Sequence, residues 1–214
     1  MYNFQYANPT RVCFGEGQIA KLPELIPAGS RLLVLYGGGS IKQNGVYEQL
    51  TQALAGREWL EFPGIGANPQ YDQLMEAVAL VKRERIDFLL AVGGGSVVDG
   101  TKFVAAAACF EGDDPWEILR DKAPIKAALP LGCVLTLPAT GSESNPAAVV
   151  SRGEAKLSFY NPLVQPVFAV LDPATTYSLP PRQVGNGVVD AFVHILEQYL
   201  TFPVGGEVQD RLDR

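Results

Sequence analysis

The sequence contains very few of the residues that build metal sites and disulfide scaffolds. Its 214 residues include one histidine, His194, and three cysteines. Cys13, Cys109 and Cys133 are widely spaced and form no Cys-x-x-Cys pair, which argues against a thiolate zinc site and against a disulfide framework. Such isolated thiols are typical of small core residues in a cytoplasmic protein.

Positive charge and long apolar runs are also scarce. There are 17 Lys and Arg residues against 23 Asp and Glu, a net charge of −6. This balance argues against nucleic acid or an anionic membrane as the main partner, because both select basic surfaces. No apolar stretch reaches the roughly 18 residues that span a bilayer, and the N-terminus lacks the pattern of a signal peptide. We therefore expect a cytoplasmic protein, and the charge does not exclude local binding of a small anion.

The sequence alternates short apolar strands with helix-like segments. Nearly half of the residues (47%) are apolar. The pattern predicts strands at 31–36, 58–62, 88–92, 133–137 and 167–171, and helices at 46–54, 71–85 and 97–108. Because continuous apolar strands separated by helices are typical of a parallel sheet covered on both faces, the predicted fold class is α/β, with a Rossmann-like doubly wound parallel sheet.

The alternation ends after Asp172-Pro173. Pro180-Pro181 interrupts the chain, and residues 182–200 then have the pattern of one long helix. We predict an α/β domain over residues 1–178, and over residues 179–214 the first helices of a second, all-helical domain.

Two predicted strands end in the same Gly-Gly-Gly-Ser tetrad, at 37–40 and at 93–96. Ligands of open parallel sheets bind at the carboxyl ends of strands, where glycines let backbone N–H groups approach a phosphate. Each tetrad alone is explained as well by a tight turn, but two in one sheet favour a nucleotide. Neither tetrad matches Gly-x-Gly-x-x-Gly or the Walker pattern.

The first tetrad favours NADP over NAD. A carboxylate near the end of the first strand would bind a ribose hydroxyl and repel a 2′-phosphate. The sequence has Gly38, Gly39 and Ser40 there, with Lys42 beyond them and no acid.

A third polar segment, residues 138–145, follows the strand at 133–137. Its hydroxyls and amide suit a phosphate or the nicotinamide carboxamide, and Lys156 offers a positive charge. Taken alone, such a segment is more often a serine-rich turn, and such a lysine is more often solvated.

Asp190 and His194 are four residues apart on the predicted last helix, so they share one face. On a helical wheel they form a polar stripe with Asn186 and Glu197, and almost all other positions are apolar. A helix of this kind is predicted to be buried, with its stripe. The pair either holds a cation or forms a hydrogen bond. As a metal site it is half complete, because catalytic metals normally take three or more protein ligands.

Three motifs together carry a resemblance that extends over the whole chain. They are GGGSVVDGTK at 93–102, LPATGSE at 137–143 and GVVDAFVHILE at 187–197. In this order they resemble the iron-containing (group III) alcohol dehydrogenases, in particular the branch of NADP-dependent butanol dehydrogenases and broad-range aldehyde reductases.

The resemblance implies an NADP(H) site built from several segments of the α/β domain. The residues implied at the adenosine and its 2′-phosphate are Asn68, Gly38, Gly39 and Ser40. Those implied at the pyrophosphate are Gly94, Gly95, Ser96 and Asp99. Those implied at the remainder of the cofactor are Thr136, Thr140, Asn145 and Lys156.

The resemblance also implies a divalent metal, either iron or zinc, with Asp190 and His194 as its first two ligands. The family takes two further histidines from its C-terminal helical domain, and this sequence has neither. The implied reaction is NADP-dependent interconversion of aldehydes and primary alcohols by hydride transfer, with the metal polarising the carbonyl. We expect this chain to correspond to the N-terminal portion of such an enzyme, with activity impaired or absent. The complete enzyme is expected to be a homodimer.

Two alternatives remain at this point. A non-catalytic nucleotide-binding or interaction protein of the same fold would bind NADPH without metal uptake or turnover. A glycerol dehydrogenase or a dehydroquinate-synthase-like lyase would share the fold, but the Thr-Gly-Ser-Glu turn and the Gly-Ser of the first tetrad disfavour both.

Overall fold

The computed structural model describes residues 7–200, which belong to two compact units. The larger unit is Pro9–Tyr177, and the other contains one long helix, Pro181–Tyr199. No helix in the described range is long and apolar enough to cross a membrane.

The larger unit is built on a six-stranded sheet and a separate two-stranded hairpin. The strands are β1 Arg11–Phe14, β2 Leu32–Tyr36, β3 Trp59–Phe62, β4 Phe88–Gly94, β5 Leu131–Leu137, β6 Ala147–Arg152, β7 Ala155–Tyr160 and β8 Phe168–Leu171. The sheet order is β1-β8-β5-β4-β2-β3, and every neighbouring pair is parallel. The predicted fold class is therefore confirmed.

The four longer helices lie where the apolar pattern predicts them, whereas the short helices Leu22–Leu25 and Glu117–Arg120 are not predicted by it. In chain order the helices are α1 Leu22–Leu25, α2 Val46–Ala53, α3 Tyr71–Glu84, α4 Gly95–Ala108, α5 Glu117–Arg120 and α6 Pro181–Tyr199. The main difference is the start of α4, which begins two residues before the predicted Val97, inside the second glycine tetrad.

Each central strand is buried on both faces, which explains its continuous apolar sequence. In β2, Leu33 and Leu35 belong to the core that contains α3 and α4. Leu32 and Val34 point to the opposite face, where they pack in the core that contains α2. Alternating side chains thus supply two separate cores, as expected for a sheet between two helical layers.

The sequence pattern missed β1 and the β6–β7 hairpin. β1 has only four residues, and Cys13 is the one that is buried, so the apolar run Val12–Phe14 of this edge strand is too short to stand out. The hairpin turns at Gly153, whose φ of 59° suits glycine, and its strands are only partly buried.

The order of the strands creates a switch point between β2 and β4. From β2 the chain passes through α2 to β3 at one edge, whereas from β4 it passes through α4 to β5 in the opposite direction. Helices α2 and α4 therefore lie on opposite faces of the sheet. The loops that follow β2 and β4 leave the sheet in opposite directions. A crevice at such a point, beyond the carboxyl ends of the strands, is where doubly wound sheets bind ligands.

The prediction that α6 is buried is wrong for the structure described. None of its 19 residues is buried, and Val188 and Val189 are 65% and 61% exposed. An apolar helix surface is buried only where other elements of the structure cover it. Among the described residues of its unit, α6 is the only helix.

Candidate functional site

The second glycine tetrad joins β4 directly to α4 without an intervening loop. β4 ends at Gly94 and α4 begins at Gly95, with Ser96 half-buried in the first turn. The first N–H groups of a helix lack intrahelical acceptors and carry a partial positive charge. The first turn of α4 contains no acidic residue. The end of β4 therefore presents a site that suits an anion.

Side chains lie close to this junction, most closely at Gly93 and Gly95. A Cβ at Gly93 would lie 2.6 Å from Cγ2 of Val97, and one at Gly94 would lie 3.4 Å from Cβ of Leu137. A Cβ at Gly95 would collide with the hydroxyl of Thr140. The tetrad thus brings the start of α4 against Thr140.

The first glycine tetrad lies beside the same helix. A Cβ at Gly37 would be 3.8 Å from Cγ2 of Val97, in the first turn of α4. Gly39 has a φ of 101°, which favours glycine, and exposed Ser40 begins a short 3-10 helix. Nothing lies within 4 Å of a Cβ built on exposed Gly38. This loop therefore has open space on one side and the candidate anion site on the other.

An acid missed by the sequence argument lies close to the first tetrad. Glu61, on β3, accepts hydrogen bonds from the Tyr36 hydroxyl at 2.5 Å, from Lys42 Nζ at 3.0 Å and from the Tyr47 hydroxyl. Burial opposes ionisation of Glu61, but these three donors lower its pKa. Lys42 Nζ also lies 4.5 Å from the centroid of the Tyr47 ring. The region of the first tetrad therefore contains an acid, Glu61, contrary to the expectation from the sequence. Glu61 is paired with the cation Lys42.

Asn68 and Lys156, 88 residues apart in sequence, meet in the structure. Lys156 Nζ donates a hydrogen bond to Asn68 Oδ1 at 2.6 Å. Asn68 has a φ of 56°, and its carbonyl accepts a bond from the Gln70 side chain at 2.7 Å. Both side chains are at the surface. The roles of Asn68 at the adenosine and of Lys156 at the remainder of the cofactor stay predictions.

Sequence reasoning missed Lys102, which is completely buried on α4. Its Nζ donates to the Asn145 carbonyl at 2.7 Å, to Asn145 Oδ1 at 3.1 Å and to the Ala147 carbonyl at 2.7 Å. Burial lowers the pKa of Lys102 to about 8. The available signal was a lysine within a helix of small and apolar residues, where a charge needs buried partners.

Asp99 serves the protein's own backbone. Its Oδ2 accepts a hydrogen bond from the Val149 N–H at 3.0 Å, whereas its Oδ1 is buried without a hydrogen bond among the described residues. Burial raises the pKa of Asp99, and the Ser142 hydroxyl and the Val149 N–H act in the opposite direction. The predicted contact with the pyrophosphate remains a prediction.

The other predicted residues at this edge lie at the end of β5 and just beyond it. Thr136 is half-buried near the end of the strand, and Thr140 is exposed. The Thr140 and Ser142 hydroxyls share a hydrogen bond of 2.8 Å. These hydroxyls offer donors next to the start of α4.

Asp190 and His194 share a face of α6, as their spacing predicts. Asp190 Oδ2 lies 3.6 Å from His194 Nε2, and the two side chains are 52% and 59% exposed. Within residues 7–200 there is no cluster of three or more His, Cys, Asp or Glu that would hold a metal. The pair therefore fits half of a metal site, and its role as a ligand pair stays a prediction.

The sequence matches the family model described as iron-containing alcohol dehydrogenase over residues 9–173. It is 60% identical to the NADPH-dependent aldehyde reductase YqhD of Escherichia coli, covering 99% of this chain and 56% of that protein. It is 45% identical to a probable NADH-dependent butanol dehydrogenase of Bacillus subtilis, with 99% and 56% coverage.

Solved structures give the same result. The substrate- and cofactor-free aldehyde reductase YqhD of Escherichia coli superposes with a TM-score of 0.91 at 56% identity, over 99% of this chain and 55% of that one. The NADH-dependent butanol dehydrogenase A of Thermotoga maritima gives a TM-score of 0.87 at 42% identity, over 98% and 55%. The chain thus spans about half the length of these relatives. It belongs to the iron-containing alcohol dehydrogenase family.

Proposed function

We propose that the carboxyl edge of β2, β4 and β5 binds NADP(H). The observation that carries this proposal is the junction at Gly95, where a helix without an acidic first turn begins at a topological switch point. The pyrophosphate would lie on this helix start, and Thr140 would contact the nicotinamide side. Residues 1–178 would form the NADP-binding domain.

A preference for NADP over NAD is supported by the first tetrad. Exposed Gly38 has no neighbour within 4 Å of a Cβ position, which leaves room for a 2′-phosphate. The nearby carboxylate of Glu61 is paired with Lys42, so its repulsion of the phosphate is reduced. The names of the relatives include both NADPH- and NADH-dependent enzymes, so the preference must come from this chain's own residues.

We further propose that the chain belongs to an enzyme that interconverts aldehydes and primary alcohols by hydride transfer. Asp190 and His194 would supply two ligands of a divalent metal, and residues 179–214 would begin the helical metal-binding domain. When bound, such a metal polarises the substrate carbonyl. The residues of the α/β unit hold and orient the cofactor. Small aldehydes and alcohols as substrates, and a homodimeric complete enzyme, are part of the same proposal.

A second candidate, NADP(H) binding without turnover by the 214-residue chain, is favoured by one observation. The Asp190–His194 pair is more than half exposed, and the described residues add no third ligand to it. Turnover needs a site that holds metal and substrate together, and two exposed donors bind a metal weakly.

Two assays of the purified chain separate these functions. Calorimetric titration with NADPH and NADH measures binding, and NADPH oxidation with butyraldehyde and added Fe²⁺ or Zn²⁺ measures turnover. Binding that is tighter for NADPH, with no turnover, supports the proposed cofactor site and assigns the chain alone the second function. Turnover would show that the chain completes its metal site. No binding at 1 mM NADPH would overturn the proposed cofactor site.

A further inference from the structure

We propose that Lys102 is a positioning residue, which fixes the segment from Thr140 to Ala147 against α4 and so sets the nicotinamide side of the cofactor site. This inference rests on the proposed NADP(H) site. Lys102 lies two helical turns beyond Gly95, so it acts on the cofactor through this segment and does not touch it.

The first observation that supports this proposal is that all three N–H donors of the Lys102 ammonium have acceptors. A protonated lysine has three N–H donors, and here three oxygens accept from it, all on Asn145 and Ala147. Asn145 Oδ1 also accepts from the Ala147 N–H at 2.9 Å. One buried cation therefore fixes the conformation of both residues.

The second support is that Asp99 makes a parallel contact one turn earlier on α4. Asp99 Oδ2 accepts from the Val149 N–H at 3.0 Å, so α4 holds the start of β6 at two points. The same helix carries Gly95 at its other end, against Thr140. The cofactor-facing segment therefore packs against α4 at its Thr140 end and is hydrogen-bonded to α4 at its other end, where Lys102 is the buried donor.

The energetics also favour positioning over simple stabilisation. Removing an ammonium from water is costly unless its hydrogen bonds are complete, and an apolar side chain of similar volume often stabilises as well or better. A methionine would fill most of the same space but would remove the lysine donor from the Asn145 and Ala147 carbonyls, and would leave Asn145 Oδ1 with the Ala147 N–H alone. What lysine adds at this position is a defined conformation of residues 145–147.

Burial has the largest effect on the pKa of Lys102 and lowers it, and groups on three elements act in the opposite direction. They are Asp99 on α4, Cys133 on β5 and Glu143 in the Ser142–Ser144 turn. Burial raises the pKa of the Cys133 thiol, so the thiol stays neutral when Lys102 titrates. Because the pKa of Lys102 is about 8, moderately alkaline pH removes one of the three donors.

The test compares Lys102→Met with Lys122→Met in the full 214-residue chain. Lys122 is a matched control, because its exposed Nζ donates one hydrogen bond to the Ser158 carbonyl at 2.6 Å, outside the proposed site. In Lys102→Met we expect amide hydrogen exchange at residues 145–149 to be at least tenfold faster, and NADPH to bind about tenfold more weakly. In the control both quantities should change less than twofold.

The pH profile adds a readout that a purely structural role would not change. NADPH affinity of the wild-type chain should fall above pH 8, and that of Lys102→Met should stay flat. Parallel profiles would overturn the proposal, as would unchanged exchange at 145–149 or exchange that is equally faster throughout the sheet. If Lys102→Met does not fold, the test uses the wild-type chain alone. Amide exchange at 145–149, corrected for the intrinsic rate, must then rise selectively between pH 7 and 9.5, and no such rise would overturn the proposal.

If the wild-type chain does not bind NADPH, the cofactor proposal fails. These exchange measurements still test the role of Lys102.

Discussion

Helices α4 and α6 carry two of the three motifs that identify the family, but their surroundings differ completely. Ten of the 14 residues of α4 are buried, and none of the 19 residues of α6 is. Around α4, strands and turns distant in sequence supply the partners of Gly95, Asp99 and Lys102. On α6, Asp190 and His194 lie 3.6 Å apart, and within residues 7–200 no further His, Cys, Asp or Glu joins them in a cluster. A motif thus becomes a site only where the fold brings other segments to it.

The largest expected effect is the difference in NADPH affinity between a glycine substitution on α4 and one on α6. Gly95→Ala places a Cβ against the Thr140 hydroxyl, so either the Thr140 side chain or the β4–α4 junction must shift. We expect NADPH affinity to fall at least 30-fold and the free energy of unfolding to fall by about 1–3 kcal/mol. Calorimetry and denaturant titration measure both quantities.

Gly185→Ala on α6 is the matched control, because nothing lies within 4 Å of its Cβ position. This change should leave NADPH affinity unaltered and raise helix stability by up to about 1 kcal/mol. An equal loss of affinity in both variants would show that the junction at Gly95 is not the cofactor site.

The second effect compares a valine on each helix. Val98 is fully buried on α4, so Val98→Ala leaves a cavity and should lower the free energy of unfolding by about 2 kcal/mol. Val189 is 61% exposed on α6, so Val189→Ala should change it by less than about 0.5 kcal/mol. A comparable loss for Val189→Ala would mean that α6 is covered in solution.

The third effect concerns an ion cluster within the α/β unit. Partial burial of Asp114 is outweighed by hydrogen bonds from Tyr71, the Trp116 N–H and Arg152, which hold its pKa at about 2. Because the folded pKa lies below the usual 3.8, this stabilisation is present above pH 4 and is lost as the pH falls toward 2. After solvent screening it amounts to about 1 kcal/mol. Asp114→Asn should remove this acid dependence in denaturant titrations at pH 5 and 3. An unchanged dependence would contradict the assignment to Asp114.

The smallest effect concerns cofactor choice. Glu61→Gln removes the carboxylate that neutralises Lys42 beside the first tetrad. NADPH should bind two- to threefold more tightly, and NADH affinity should stay unchanged, because only NADPH carries the 2′-phosphate. Equal changes for both cofactors would place the 2′-phosphate away from Lys42.

The sequence predicted the parallel sheet and the main helices because buried strands and amphipathic helices have strong periodic patterns. It missed β1, which has one buried residue, and the β6–β7 hairpin, which is only partly buried. Lys102 and Glu61 were missed because their partners lie 43 residues away at Asn145 and 19 residues away at Lys42. The burial of α6 was wrongly predicted, because composition shows which surface is apolar but not what covers it.

The most direct measurement maps amide hydrogen exchange of the chain with and without saturating NADPH. Binding at the switch point predicts protection at 37–40, 94–99 and 136–145, and none along α6. Protection confined to the opposite edge of the sheet, around Arg31, Arg57 and Trp59, or spread evenly over the unit would contradict the account.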